Sequence, residues 1–234
     1  AVTAKDRIAG IVGGIIYDNQ KDMVVSITNC VNNGAINGNA RVGGIVGYVI
    51  SSTATPCDGA CALTIQNCVN TAAIHAGDTS EFGAGAAGII GMFQAATTAD
   101  GTFALVIDEC ANSGDISVGR NYAGGILGMI STLYTGNLTI TMTDLYNGGA
   151  ITTDHASGNI GAIIGIYRSP NLTDVVDGVG NSPFIAKNWM NAGITDRTTT
   201  DATEDFGFIG YAGNAVSGEI KGAKWTLENL YNAT

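Results

Sequence analysis

A short polar pattern recurs six times along the 234-residue chain, and it restricts the possible folds more than any other feature. The first copy reads Asn29-Cys30-Val31-Asn32, and later copies replace the cysteine by leucine or tryptophan. The anchoring asparagines, spaced by 38, 42, 35, 44 and 41 residues, are Asn32, Asn70, Asn112, Asn147, Asn191 and Asn232. A unit of this size cannot bury its apolar face alone, so the repeat predicts stacked units.

A glycine-bracketed apolar segment alternates with the asparagine pattern. Gly44-Ile45-Val46-Gly47 is typical, and the other copies begin at Gly10, Gly88, Gly125, Ala162 and Gly207. These segments hold many of the 34 glycines of the chain. Glycines flanking a short strand indicate tight corners, a positive φ, or close contact between two backbones.

Apolar residues alternate with polar ones just before the asparagine pattern, as in Val25-x-Ile27 and Leu63-x-Ile65. A period of two indicates half-buried strands. The next inward residue comes three positions later, which predicts a corner and a stacked core column of Cys30, Cys68, Cys110, Leu145, Trp189 and Leu230. Stacking the repeats in register predicts a ladder of hydrogen-bonded side-chain amides at the six asparagines.

These patterns predict an all-β fold, a β-solenoid that stacks six repeats of about forty residues like a parallel β-helix. We expect a single repeat domain over residues 1–234, with repeats near 7–40, 41–80, 81–118, 119–155, 156–200 and 201–234. Stacked β-hairpins are the alternative, since Asp18-Asn19-Gln20-Lys21-Asp22 is short enough for a hairpin loop. The parallel solenoid is favoured, and the sequence leaves open whether one repeat makes one turn.

The two alternating patterns together resemble the GLUG motif of large extracellular bacterial proteins, including adhesins and IgA-peptidase-type surface proteins. The resemblance rests on Gly-Gly-Ile-Val-Gly-Tyr at residues 43–48 and on the Cys-x-Asn segments, and it covers nearly the whole chain. It implies a β-solenoid-like surface module without catalytic residues. The chain departs from the motif in its long loops and in losing cysteine from its last three copies.

Charge and hydropathy exclude several classes of partner. Ten Lys and Arg residues stand against twenty Asp and Glu, giving a net charge of -10. This balance disfavours nucleic acid and anionic membranes. A membrane-spanning helix needs about twenty consecutive apolar residues, and the longest apolar run is far shorter, so no membrane insertion is expected.

The five cysteines indicate two roles. Cys57 and Cys61 lie in one short loop and form a predicted disulfide if the protein is secreted. Cys30, Cys68 and Cys110 share one repeat position and are predicted as buried thiols. Zinc needs further ligands, and His75 and His155 are the only histidines of the chain. We therefore expect no bound zinc.

Other candidate sites are weaker. Oxygen-rich Asp174 and Asp177 form a weak Ca²⁺ candidate that matches no standard calcium loop. Glycosylation sequons place Asn171 and Asn137 as possible acceptors, Asn171 being preferred. Gly83-x-Gly85-x-x-Gly88 matches a dinucleotide fingerprint but lies in a glycine segment with no helical pattern after it, so no cofactor is expected.

The function that these patterns favour is a non-enzymatic structural or adhesive module at the cell surface. The insertions between glycine segment and asparagine strand leave the repeat at one place, which predicts a loop face that meets a glycan or a cell-surface protein. Further expected partners are the rest of a longer repeat chain or copies of the protein stacked end to end into a fibre. The alternative is a carbohydrate-active β-helix enzyme using acidic pairs such as Asp108 with Glu109.

Overall fold

The protein is described by a computed structural model, which covers residues 1–52, 54–77, 85–98, 100–119, 122–132, 137–153, 160–168, 184–192, 209–212 and 225–232. Every regular element within these residues is a β-strand, so the predicted all-β class is confirmed. Nothing helical in this part of the chain has the length and apolar character needed to cross a membrane.

The strands form four sheets that the chain visits in a fixed order. The first sheet contains β2 (Asp6–Ala9), β7 (Ala40–Gly43), β12 (Gly85–Ala87), β17 (Tyr122–Gly124) and β21 (Ile160–Gly161). The second contains β3 (Val12–Ile16), β8 (Val46–Ile50), β13 (Ile90–Ala95), β18 (Leu127–Thr132), β22 (Ile164–Arg168) and β24 (Ile209–Ala212).

The third sheet is the largest, because its strands continue past a corner. Its long arm contains β4 (Val24–Thr28), β9 (Ala60–Gln66), β14 (Thr102–Asp108), β19 (Asn137–Asn147), β23 (Phe184–Asn191) and β25 (Trp225–Asn232). Its short arm adds β5 (Val31–Asn32), β10 (Val69–Asn70) and β15 (Ala111–Asn112). The fourth sheet contains β1 (Val2–Thr3), β6 (Ile36–Gly38), β11 (Ile74–Ala76), β16 (Ile116–Val118) and β20 (Ile151–Thr153).

All of these strands pair in parallel, and each strand pairs with the equivalent strand of the next repeat. Asn70, for example, lies opposite Asn32 on one side and Asn112 on the other. Each described repeat therefore makes one turn of a parallel β-solenoid, which resolves the question that the sequence left open. The hairpin alternative is wrong, because β3 and β4 belong to different sheets rather than pairing with each other.

The corner within the third sheet comes from a left-handed residue just before the core column. Its positions have φ between 49° and 57° and are Asn29, Asn67, Glu109, Asp144 and Asn188. Asn and Asp tolerate this conformation better than most residues because their short side chains bond locally. One such residue changes the inward spacing from two to three.

Two apolar cores fill the interior, and a third buried apolar cluster lies on the other face of the second sheet and consists of Tyr48, Met92, Met129 and Ile166. The larger core lies between the second and third sheets and includes Val49, Leu63 and Phe93, all fully buried. The smaller lies between the first and fourth sheets and includes Ile36 and Val42. Each time the chain passes from one core to the other, it does so at a ladder asparagine or at a glycine segment. Asn32 lies between Cys30 of the larger core and Ile36 of the smaller, and Gly44 lies between Val42 of the smaller core and Ile45 of the larger.

Candidate functional site

The most ordered polar feature of the interior is a ladder of asparagine amides. Nδ2 of Asn70 donates to Oδ1 of Asn112 at 2.8 Å, and Nδ2 of Asn112 donates to Oδ1 of Asn147 at 2.8 Å. The same bond links Asn32 to Asn70 at 2.7 Å and Asn147 to Asn191 at 2.9 Å. Each of these four amides donates toward the next repeat, so the described part of the ladder has one polarity along the axis.

Each central ladder amide also bonds within its own repeat. The second N–H of Asn70 donates to the carbonyl of Ala72 at 2.8 Å, and that of Asn112 donates to Gly114 at 2.9 Å. Both asparagines are fully buried. A buried amide is tolerated only when its donors and acceptors are paired, and these amides have partners on both sides.

One glycine of each of the first four glycine segments packs directly against this ladder, and the fifth segment has Ala162 at this place. A Cβ added to Gly88 would come 2.5 Å from the side chain of Asn112, and one added to Gly125 would come 2.5 Å from Asn147. Neither glycine has a left-handed φ. The close approach, rather than a special backbone conformation, therefore favours glycine at these four positions, and the glycine and asparagine patterns recur together because they touch.

The core column before the ladder carries hydrogen-bond donors as well as apolar bulk. Sγ of Cys68 lies 3.6 Å from the carbonyl oxygen of Ile27 and 3.3 Å from that of Gln66. Nε1 of Trp189, in the same column, donates to the carbonyl of Met142 at 2.7 Å. The cysteine thiols and the tryptophan indole both donate to main-chain carbonyls at this corner. The sequence predicts the cysteines only as small apolar residues, which misses this role.

The three column thiols are free cysteines; Cys68 and Cys110 are buried as predicted, whereas the prediction is wrong for Cys30, which is only half-buried because it lies in the first turn at the edge of the stack. Burial, together with the neighbouring thiol of Cys68, raises the pKa of Cys30. The hydrogen bond to Cys68, with burial in addition, raises the pKa of Cys110. Thiols with a raised pKa stay protonated and are poor nucleophiles, so Cys30 and Cys110 are suited to packing. The hydrogen bond with Cys110 lowers the pKa of Cys68, whose side chain is fully buried.

The insertion corner is closed by the Cys57–Cys61 disulfide, whose two residues are 0% and 2% exposed. The ring of Tyr17 packs edge-on against Phe103 with centroids 4.8 Å apart, and its hydroxyl donates to the carbonyl of Ala62 at 2.7 Å. Burial raises the pKa of Tyr17. Two buried aromatic rings, Tyr17 and Phe103, therefore lie beneath the loops at this corner.

The first three insertions stack on each other instead of projecting separately. The amide of Cys57 donates to the carbonyl of Ala96, and the amide of Thr98 donates back to the carbonyl of Cys57, both at 3.0 Å. The amide of Asp58 donates to the carbonyl of Gln20 at 3.0 Å. The described residues of the insertions 18–22, 50–62 and 94–102 thus stack on each other along the wall of the solenoid.

The acidic pair considered for catalysis lies at the end of β14 on the outer face. Asp108 accepts hydrogen bonds from Nε2 of Gln66 at 3.0 Å and from the hydroxyl of Thr143, while Glu109 lies 3.4 Å from the same Nε2. Lys187 follows Thr143 in the same column. Bonds between neighbouring turns occupy both carboxylates, as expected of a side-chain ladder on a sheet surface.

His75 has a neighbour that the sequence did not indicate. Its Nδ1 lies 2.9 Å from the hydroxyl of Ser117, 42 residues further along the chain. The two residues pair directly in register on the fourth sheet, where Asn37 precedes them and Thr152 follows them. Aligning the repeats in register is the only sequence signal that could have predicted this contact. The four residues together form an exposed polar column.

A second charged cluster lies where the first sheet meets the second. The guanidinium groups of Arg7 and Arg41 lie 5.2 Å and 4.8 Å from the centre of the Tyr48 ring. Arg41 also forms an ion pair with Asp6 through two of its nitrogens. Cation–π contacts and the shared carboxylate offset the two positive charges, so the cluster fastens the first two turns together.

Several sequence predictions fall outside the described residues: Asp174, Asp177, Asn171 and His155. The backbone of Asn137 begins β19, and the backbones of Leu230 and Asn232 pair with Trp189 and Asn191, but the side chains of Asn137, Leu230 and Asn232 are not described. Among the residues that are described, no group of three or more His, Cys, Asp or Glu side chains is arranged to hold a metal ion.

No protein-family model, curated protein or solved structure matches the chain. The resemblance to the GLUG motif therefore stays a prediction from the sequence motifs.

Proposed function

We propose that the chain is a non-enzymatic structural and adhesive module that works outside the cell at a cell surface. The observation that carries the proposal is the in-register stacking of equivalent residues, with a fully buried amide ladder at its centre. Such a stack makes a stiff rod from short repeats, because each turn bonds to the next through both backbone and side chains. A rod of this kind suits a spacer or a display surface.

Two further observations support the proposal. The Cys57–Cys61 disulfide suits an oxidising compartment, where such bonds persist. The stacked insertions present residues of successive turns on one wall, which suits contact with a glycan or a cell-surface protein. Any further repeat of the same kind, in the same chain or in another copy, would continue the register columns, so such repeats are proposed as partners.

The experiment is to coat fluorescent beads with the protein and to measure their retention on cell-surface polysaccharides and on cell-surface proteins. In parallel, the soluble protein is incubated with the same polysaccharides, and new sugar ends are measured. The proposal expects retention of the beads without cleavage. Release of sugar ends that disappears in an Asp108→Asn variant would contradict it and favour the carbohydrate-active enzyme.

A further inference from the structure

An apolar stripe runs along the outside of the solenoid parallel to its axis. It consists of one residue from each described turn, directly after the core column, and its members are Val31, Val69, Ala111, Tyr146 and Met190. The exposed fractions of Val31, Tyr146 and Met190 are 52%, 37% and 47%. The backbone of Tyr231 continues the same column next to Met190.

This stripe is not a chance scatter of surface residues. Seven large apolar side chains are exposed among the described residues, and three of them lie in this one column. The other four belong, like Val31, to the first turn, where they lie in or beside β1, β3 and β4 at one edge of the sheets, whereas Tyr146 and Met190 lie in later turns. Exposed apolar groups that line up in contiguous fashion mark interaction surfaces more often than isolated ones do.

Polar columns flank the stripe on both sides. The left-handed corner positions form one flank, and two of their side chains bond from turn to turn: Asn67 Nδ2 donates to Asn29 at 2.6 Å, and Asn188 Nδ2 donates to Asp144 at 2.7 Å. The other flank begins with Asn33 and Thr71, whose side chains bond at 2.6 Å. Ser113 continues this flank, whereas Gly148 and Ala192 carry no polar side chain beside Tyr146 and Met190. Polar side chains therefore border the apolar line along its whole length on the corner side and in the first three turns on the other side.

The ring of Tyr146 lies along the surface instead of standing away from it. A Cβ at Gly148 would come 2.5 Å from the Tyr146 hydroxyl oxygen, so the ring extends over the place where a side chain at 148 would stand. The glycine thus makes room for a ring that rests on the backbone. A ring held in this way offers a preformed platform for stacking.

We propose that this stripe binds a neutral, extended polysaccharide chain laid along the axis of the solenoid. The C–H face of a pyranose ring is apolar and packs on an aromatic ring, while its hydroxyl groups bond to amides and hydroxyls at the edges. Successive turns are about 4.8 Å apart, close to the length of one sugar ring, so successive sugars of a straight glycan would lie over successive residues of the stripe. The proposal rests on the adhesive part of the proposed function and supplies its ligand class.

The charges beside the stripe select a neutral glycan over an anionic one. Glu109 and Asp144 lie in the corner flank, whereas the described residues of both flanks include no Lys or Arg. The neighbouring outer column adds Asp108 and one cation, Lys187, so a uronic acid or sulfated sugar would approach more carboxylates than cations. The flanks therefore exclude anionic chains by repulsion.

The test is affinity electrophoresis of the whole chain in native gels that contain hydroxyethyl cellulose or galactomannan, with polygalacturonate as the anionic comparison. The unmodified chain is expected to be retarded by a neutral glycan and not by polygalacturonate. Tyr146→Ala is expected to weaken retardation about tenfold. Tyr146→Phe keeps the ring and is expected to retain binding, which shows that a loss in the alanine variant comes from the missing platform.

Ile16→Ala is the matched control, because Ile16 is an exposed large apolar residue, at 53% against 37% for Tyr146, and lies on the second sheet away from the stripe. It is expected to bind like the unmodified chain. Equal retardation of the Tyr146→Ala variant, stronger binding to polygalacturonate, or no binding to any neutral glycan each overturns the stripe proposal. Bead retention on a cell-surface protein would still support the wider adhesive function in those cases, so the two failures are distinguishable.

Discussion

Replacing Asn112 by alanine removes the central link of the amide ladder. Asn112 accepts one hydrogen bond from Asn70 and donates two, to Asn147 and to the carbonyl of Gly114. The alanine variant leaves the Asn147 and Gly114 oxygens buried without these donors. Asn70 keeps its bond to its own repeat but loses the bond to the next turn.

The expected cost follows from these groups. A buried polar group that loses its partner costs about 1–3 kcal/mol, so the variant is expected to lower the free energy of unfolding by about 3–5 kcal/mol. The measurement is urea unfolding followed by circular dichroism, comparing midpoints at an unchanged m-value. An unchanged m-value ensures that the shift reports stability rather than a different unfolded state.

Ser113→Ala is the matched control, since Ser113 is the next residue in the chain but its side chain is exposed. A surface substitution of this kind is expected to change stability by no more than about 0.5 kcal/mol. If Asn112→Ala costs no more than Ser113→Ala, the ladder does not stabilise the stack and the reasoning is refuted.

Three other substitutions test separate contacts in the same unfolding assay. Gly88→Ala forces a methyl group onto the ladder and is expected to cost about 2–3 kcal/mol. A Cβ at Gly14 would meet only the Tyr48 carbonyl oxygen, at an ordinary 3.8 Å, so Gly14→Ala is expected to be nearly neutral; equal costs would contradict the close packing. Trp189→Phe removes the indole donor from its buried carbonyl and is expected to cost about 1–3 kcal/mol, and an unchanged midpoint would argue against that bond. Burial raises the pKa of Tyr17 in the folded state, so its contribution is present below the ordinary tyrosine pKa and is lost as the pH rises above it. Tyr17→Phe is therefore expected to flatten the loss of stability above about pH 10, and an identical alkaline profile would refute this.

The sequence predicts the stacked fold because the repeat shows which residues of consecutive copies are equivalent, and therefore which residues pair when the copies stack. Asn70 and Asn112 occupy equivalent places in consecutive copies, so stacking the copies necessarily places them side by side. The same reasoning predicts the cysteine column and the loop that holds Cys57 and Cys61. These features depend on residues that recur, or that are close in the chain, and both properties can be read without coordinates.

Other features depend on how separate parts of one turn fold against each other. The contact of Gly88 with Asn112 joins two patterns that are distant in sequence, and neither pattern alone indicates the other. The left-handed corner has a partial signal in Asn29 and Asn67, because asparagine tolerates this conformation, but Glu109 at the same place weakens it. The stacking of the insertions has no sequence signal, since their lengths and residues differ.

The central claim is that each repeat forms one turn, in parallel register with the next, and backbone nuclear Overhauser effects in the labelled protein test it most directly. The account predicts contacts between Val69 and Ala111 and between His75 and Ser117, each pair 42 residues apart. Contacts linking β3 to β4 as an antiparallel pair, without those between equivalent residues of consecutive repeats, would contradict it.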